Sequence, residues 1–276
     1  MSEWKAFCDY TASIGLACDR LLENARRPYY EGRINPLRAG WSYMPEGVRP
    51  GPVPLTFRAD QSIGKMWEYH LGLVYPQSHS SLLPAFSLSP APGETILDAF
   101  SAPGSKTTLM AALMENRGAI LAVERYKKRI RAVYGNLKRL GVLNTNLWLG
   151  DVRHVRGLFD GVLADVPCTG LGSSSWNPAS ANKMASYQRS LISSLAKRVR
   201  EGGLLVYSTC SLSLEENERV VQWILENTDL ELVHHGLKLH SPGLTELGAE
   251  RWKVLRINGP EIGSEAFFVA KFIKTL

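Results

Sequence analysis

The chain has 276 residues, 45% of them hydrophobic, which is enough to bury a full core and predicts one large domain with a small appendage. Its formal net charge of +6 suits a polyanionic partner without requiring one. Four cysteines (Cys8, Cys18, Cys168, Cys210) form no Cys-x-x-Cys pair, and no His pair completes a zinc pattern, so no metal site and no disulfide framework are expected. Met1-Ser2-Glu3-Trp4 does not start a secretory signal, and no apolar run approaches the ~18 residues of a membrane span. The expectation is a cytoplasmic, monomeric protein without a membrane partner.

Residues 1–85 differ from the rest and predict a small α+β region. They begin with an amphipathic helix through Ile14, Leu16, Ala17, Leu21 and Leu22. A Pro- and Gly-rich stretch follows, from Pro28 to Pro54. Across the region, Tyr29, Tyr30, Trp41, Tyr43, Phe57, Trp67, Tyr69 and Tyr75 are mixed with Arg26, Arg27, Arg33, Arg38, Arg49 and Arg58. Aromatic and guanidinium groups together stack and neutralise single-stranded RNA, which makes 1–85 the candidate RNA-recognition region. The alternative is a small aromatic core under long loops.

From residue 86 to 276 strands alternate with helices. The predicted strands are Glu94 to Phe100, Ala119 to Glu124, Asn144 to Leu149, Val162 to Val166, Gly203 to Tyr207, Leu230 to Val233 and Ala266 to Ile273. Between them, Leu109, Met110, Leu113 and Met114 mark one helix, and Tyr126 to Leu140 reads as a second that Gly141 ends. Leu191, Ile192, Leu195 and Val199 mark a third. Ser213-Leu214-Glu215-Glu216 spells a capping box opening a fourth, with Val220, Val221, Ile224 and Leu225 apolar. Such alternation implies an α/β fold with a mostly parallel seven-stranded sheet covered on both faces.

The loop after the first of these strands, Ala102-Pro103-Gly104-Ser105-Lys106, leads into a helix, and open parallel sheets bind ligands outside the carboxyl ends of their strands. It is not a phosphate-binding P-loop, because Ser105 separates Gly104 from Lys106 and no Gly occurs between Gly93 and Gly104. The dinucleotide pattern Gly-x-Gly-x-x-Gly is absent too. A nucleoside without a polyphosphate remains, with S-adenosyl-L-methionine the obvious candidate. Glu124 ends the second strand, where a carboxylate can accept both ribose hydroxyls. Asp151 follows the third strand, within reach of an adenine amino group. Asp165-Val166-Pro167-Cys168 and Ser208-Thr209-Cys210 each put a thiol at a strand end. If these two strands are neighbours, their ends lie about 5 Å apart. A phosphatase nucleophile is excluded, since Ser174 stands where the Arg would be.

The Leu97-Asp98, Ala102-Pro103-Gly104 and Lys106-Thr107 pieces, Asp165…Pro167-Cys168-Thr169-Gly170 and Tyr207-Ser208-Thr209-Cys210-Ser211 resemble the Nop/Sun family of RNA 5-methylcytosine methyltransferases. The resemblance runs in order from Tyr75-Pro76-Gln77 to Phe267-Phe268-Val269-Ala270. It implies a Rossmann-like class I methyltransferase domain over 86–276, acting on cytosine in structured RNA, with tRNA favoured over rRNA. By the family's pattern Cys210 is the attacking thiol and Cys168 assists proton removal and release. Asp165 would hold the cytosine ring edge, and Lys106 would meet the methionine carboxylate or the cytosine. The expected cofactor set is Ala102, Pro103, Gly104, Ser105, Lys106, Glu124, Arg129, Asp151 and Asp165. Three readings rival this one: attack by Cys168, as in DNA cytosine methyltransferases; a catalytically silent RNA-binding or assembly protein keeping the fold; and, ranked last because it needs no cysteine pair, a small-molecule or protein methyltransferase. The basic residues of the second helix (Lys127, Lys128, Arg129, Arg131, Lys138, Arg139) either touch phosphates or form a solvated face.

Overall fold

The computed structural model describes residues 2–16, 18, 29–170, 178–239, 241–259 and 262–275. Helix α1 (Ser2–Ser13) ends before Ile14, so the predicted amphipathic run does not coincide with it. Residues 17 and 19–28, with Leu21, Leu22, Arg26 and Arg27, lie outside the described residues. Cys8 and Cys18 are joined in a disulfide, a single bond where the sequence predicted no disulfide framework. The bond spans ten residues and closes the chain just past α1.

Strands β1 (Tyr30–Ile34), β2 (Arg49–Pro50), β3 (Thr56–Ala59) and β4 (Val74–Pro76) form an antiparallel sheet in the order β2-β3-β1-β4. Its aromatic residues divide between the two readings of this region. Phe57 and Tyr75 are buried, whereas Tyr30, Trp41 and Trp67 are exposed. Arg33 is not a surface residue: it is fully buried, and its guanidinium reaches Gln77 Oε1 at 2.8 Å and Thr108 Oγ1 at 2.6 Å. It thereby ties this sheet to the helix of the larger domain that carries Lys106.

That domain begins with helix α2 (Leu83–Leu88) and then alternates β5 (Thr95–Asp98), α3 (Ser105–Leu113), β6 (Ala119–Glu124), α4 (Lys127–Leu140), β7 (Thr145–Leu149), β8 (Phe159–Asp165), α5 (Pro178–Ala196), β9 (Val199–Thr209), α6 (Glu218–Asn227), β10 (Leu230–Val233), β11 (Leu255–Ile257) and β12 (Phe267–Lys274). The strand order is β7-β6-β5-β8-β9-β12-β10, with β11 also pairing β12. Strands β5 to β9 are parallel, and β10, β11 and β12 are antiparallel additions at one edge. All seven predicted strands are present. β11, three residues inside a long loop, is one the periodicity did not reveal.

The sheet is buried on both sides because successive residues point to opposite faces. Val162 and Ala164 of β8 and Leu205 and Tyr207 of β9 join Leu191, Ile192 and Leu195 of α5 and Val220, Val221 and Ile224 of α6. Leu163 and Val206 face the other way, onto Leu83 and Leu88 of α2 and Leu109 and Met110 of α3. Each such apolar side chain contributes about 1.5–3 kcal/mol relative to an exposed one. Helix α4 ends at Gly141, whose φ of 76° is the left-handed cap that glycine adopts at low cost. The order of the strands reverses between β5 and β8. The loops leaving these two strands therefore diverge and open a crevice at their carboxyl ends.

Candidate active site

The loop after β5 turns at Gly104, whose φ of 102° suits a residue without Cβ and which caps α3. Ser101 holds the loop to the neighbouring strand, its N and Oγ donating to Val123 O at 2.9 Å and 3.0 Å. Beneath it Asp98 is fully buried and accepts from Thr107 Oγ1 at 2.5 Å. Burial pushes the Asp98 carboxyl up to about 6, despite that hydrogen bond.

Two cavities open on the crevice. The first, about 450 Å³, is walled by Glu124, Arg129, Asp151, Val152, Tyr187 and Leu191 among others, and reaches Ala102, Cys168 and Asp165. The second, about 230 Å³, is walled by Ser81, Pro103, Ser105, Lys106, Glu265 and Phe267. Ala102, Asp165 and Cys210 line both, so the partition between the cavities carries a carboxylate and a thiol. Among the candidate cofactor residues, Ala102, Glu124, Arg129, Asp151 and Asp165 face the first cavity. Pro103, Ser105 and Lys106 face the second, and Gly104 shapes the turn without lining either.

The first cavity suits a nucleoside. Glu124 is 4% exposed, and its Oε1 accepts from Tyr126 N at 2.8 Å while Oε2 lies 3.4 Å from Arg129. Its carboxylate keeps lone pairs for a vicinal diol. Arg129 also donates to Ala102 O at 3.1 Å, joining α4 to the loop after β5. Asp151 is gripped by Arg153, Nε to Oδ1 at 2.9 Å and Nη2 to Oδ2 at 2.6 Å, and this hydrogen bonding brings its carboxyl down to about 2. It is therefore a fixed anion at the cavity wall.

Strands β8 and β9 are neighbours in parallel register, Asp165 opposite Ser208. Their end loops bring Cys168 Sγ to 2.7 Å from Cys210 Sγ, and Cys210 N donates to Cys168 Sγ at 3.3 Å. The contact drives the two acidities apart. Hydrogen bonding from Cys168 holds Cys210 below the usual thiol range, with Lys106 adding to the effect and burial and the Asp165 charge opposing it. The same contact, together with burial, pushes Cys168 well up. Lys106 Nζ donates to Ser81 Oγ at 3.0 Å and lies 5.1 Å from the Phe267 ring centroid. Ser208 Oγ donates to Asp165 Oδ1 at 2.8 Å.

Ser81, Glu265 and Phe267 carry no local sequence signal as site residues; the turn before α2 and the start of β12 deliver them. Glu216, spelled as part of a capping box, is instead folded beneath the two cysteine loops. Helix α6 starts two residues later, at Glu218. Of the basic residues on α4, Lys127, Lys128, Arg129, Arg131 and Lys138 are exposed. Arg139 is used internally, donating to Tyr69 O at 2.7 Å with its guanidinium 3.9 Å from the Tyr69 ring centroid.

Residues 85–273 match the family described as 16S rRNA methyltransferase RsmB/F. The chain is 38% identical over 232 residues to the tRNA (cytosine(49)-C(5))-methyltransferase of Pyrococcus abyssi, covering 78% of this chain and 75% of that protein. It is 40% identical over 273 residues to the 28S rRNA (cytosine(4447)-C(5))-methyltransferase of Homo sapiens, covering 92% of this chain but 33% of that protein. Among solved structures it is similar to a methyltransferase homolog protein from Pyrococcus horikoshii, with a TM-score of 0.83 and 32% identity over 97% of this chain and 98% of the other. With the matched span holding β5 to β12 and both cysteine loops, the chain belongs to the RsmB/F family of methyltransferases.

Proposed function

We propose that this protein methylates carbon 5 of cytosine in RNA, with S-adenosylmethionine in the first cavity and the target base in the second. The observation that carries the reading is the pair of sulfurs, Cys168 and Cys210, 2.7 Å apart at the ends of adjacent strands. One of them, Cys210, lies in the partition between the two cavities. The bound cofactor supplies an electrophilic methyl group on a sulfonium.

Carbon 5 of cytosine is a poor nucleophile until a thiolate adds to carbon 6. Cys210, the more acidic thiol of the two, forms that bond. Asp165, aimed by Ser208 and Lys106, meets the ring edge where charge develops on attack. Once carbon 5 carries the methyl group, Cys168 assists removal of the carbon-5 proton. The released electron pair restores the ring double bond and expels Cys210 as thiolate. Glu124 holds the cofactor ribose and Lys106 serves the base side.

We favour tRNA over rRNA as substrate because a relative matched over 78% of this chain and 75% of its own length is named for a tRNA cytosine, whereas a ribosomal RNA methyltransferase matched over all of this chain is covered to 61%. The exposed Tyr30, Trp41 and Trp67 of the N-terminal region and the basic face of α4 offer stacking and phosphate contacts. The target cytosine must be unstacked to enter so small a cavity. The test is tritium release from transcripts labelled at cytosine carbon 5, with tRNA and rRNA in separate arms. Release that requires the cofactor supports the reading. No release from either RNA favours a silent binding protein.

A further inference from the structure

The ladder between β8 and β9 ends at Asp165 and Ser208, with Val166 N donating to Ser208 O at 3.1 Å. Beyond it the loops carrying Cys168 and Cys210 meet directly only through Cys210 N donating to Cys168 Sγ at 3.3 Å, the two sulfurs, and the Thr169 and Ser211 hydroxyls at 3.4 Å among the described residues, and a further tie lies beneath them. Glu216 is fully buried beneath both loops. Its Oε2 accepts from Thr169 N at 3.0 Å and from Gln188 Nε2 at 2.9 Å. Its Oε1 accepts from Ser211 Oγ at 2.8 Å and from Thr169 Oγ1. Thr169 follows Cys168 and Ser211 follows Cys210, so one carboxylate grips the residue after each thiol.

These donors are all neutral, and burying a carboxylate on neutral donors alone is costly. Gln188 extends the grip, donating also to Pro167 O at 2.8 Å, and Tyr207 Oη donates to Gln188 Oε1 at 3.1 Å. Asn217 braces the other loop, its Nδ2 donating to Ser211 O at 2.8 Å. Helix capping does not account for Glu216, since α6 begins at Glu218 with Asn217 at its N-cap.

We propose that Glu216 is a positioning residue for the release half of the reaction: it holds Cys168 against Cys210, so that proton removal and thiol departure follow methyl transfer without delay. The proposal rests on the reading of Cys210 as nucleophile and Cys168 as the releasing group. Glu216→Gln keeps an oxygen for Thr169 N and Gln188 Nε2 and turns its NH2 on the Thr169 and Ser211 hydroxyls, exchanging charge-assisted hydrogen bonds for weaker neutral ones. The Cys168 loop, held through Thr169 and Gln188, loosens most, while Asn217 still braces the Cys210 loop. A misplacement of this kind slows the affected step by roughly 10–100-fold.

The experiment compares the wild-type chain with Glu216→Gln, Thr169→Val, Cys168→Ala and Cys210→Ala, using a mixture of transcribed tRNA and rRNA with S-adenosylmethionine. Boiling-stable protein–RNA adduct, single-turnover methyl transfer, multiple turnover and thermal stability are read for each. Glu216→Gln is expected to accumulate adduct as Cys168→Ala does and to lose roughly tenfold or more in multiple turnover, with single-turnover transfer within about threefold of wild type. Thr169→Val, which removes one donor, is expected to shift the same way by less. It decides the matter if Glu216→Gln fails to fold.

If Cys168→Ala traps adduct but neither Glu216→Gln nor Thr169→Val does, Glu216 is purely structural and the proposal is overturned. Parallel loss of transfer and turnover with falling thermal stability overturns it equally. If Cys168→Ala itself traps nothing, the underlying assignment of the two thiols fails first.

Discussion

Lys106 Nζ lies 2.7 Å from Asp165 Oδ2, an ion pair joining the helix after β5 to the end of β8 across the point where the strand order reverses. The lysine is 8% exposed and faces the same cavity as Cys210. Its charge therefore serves two anions: a carboxylate it balances and a thiolate it favours.

Lys106→Met leaves the Asp165 charge beside Cys210 without its counterweight. The Cys210 thiol then rises, because the removed cation lowered it and the remaining anion raises it. Iodoacetamide alkylation followed at the Cys210 peptide should show its half-maximal pH shifted upward, and methylation should fall by about 100-fold. An unchanged alkylation profile would contradict this role for Lys106.

Glu124→Gln removes the charged acceptor for the cofactor ribose while leaving both sulfurs alone. The KM for S-adenosylmethionine should rise by about 10–100-fold with kcat little changed, since a hydrogen bond to a charged group is worth about 1.5–3 kcal/mol. Initial rates at varied cofactor and saturating RNA measure this. An effect confined to kcat would place Glu124 elsewhere in the mechanism.

Asp98 makes stability depend on pH. Its carboxyl goes from an ordinary value of 3.8 to about 6 in the folded chain, so between these values the native state binds more protons than the unfolded one. Stability from this group is therefore lost as pH rises through that window. Relative to wild type, Asp98→Asn should gain on the order of 3 kcal/mol between pH 3.8 and pH 7, read by urea denaturation at each pH. A constant difference across the window would show that Asp98 ionises freely in the fold.

Arg33 tests whether the N-terminal sheet is held as part of the catalytic body. Burial lowers its guanidinium to about 10, and it bonds both Gln77 and Thr108. Arg33→Met should cost about 2–4 kcal/mol in chemical denaturation, because two buried polar partners lose their donor. A loss below about 0.5 kcal/mol would mean those partners find substitutes.

Most of the sheet and the whole strand-end logic were legible because each depends on a local signal. Apolar runs of strand length ended in Asp98, Glu124, Asp165 and Cys210, and the parallel βαβ rule placed those ends on one side. The sequence left the pairing of β8 with β9 as a condition, and the register meets it by putting Asp165 opposite Ser208. What stayed hidden was tertiary. Ser213-x-x-Glu216 has the spelling of a capping box, but a fully buried carboxylate bonded to the distant Thr169 and Gln188 as well as to nearby Ser211 outweighs a local cap. Arg33 read as one of several surface guanidiniums, and only the docking of the sheet on α3 reveals it as an internal bolt. Cys8 and Cys18 carry no spacing motif, and their disulfide depends on the chain folding back after α1. The division of the crevice into two cavities depended on Ser81, which lies far in the chain from Glu265 and Phe267.

The most direct measurement is peptide mapping by mass spectrometry of the covalent complex formed by the Cys168→Ala chain with RNA and S-adenosylmethionine. The nucleotide should be found on Cys210, and Cys210→Ala should form no complex. A nucleotide attached to Cys168 in the Cys210→Ala chain would reverse the roles of the two thiols and contradict the account.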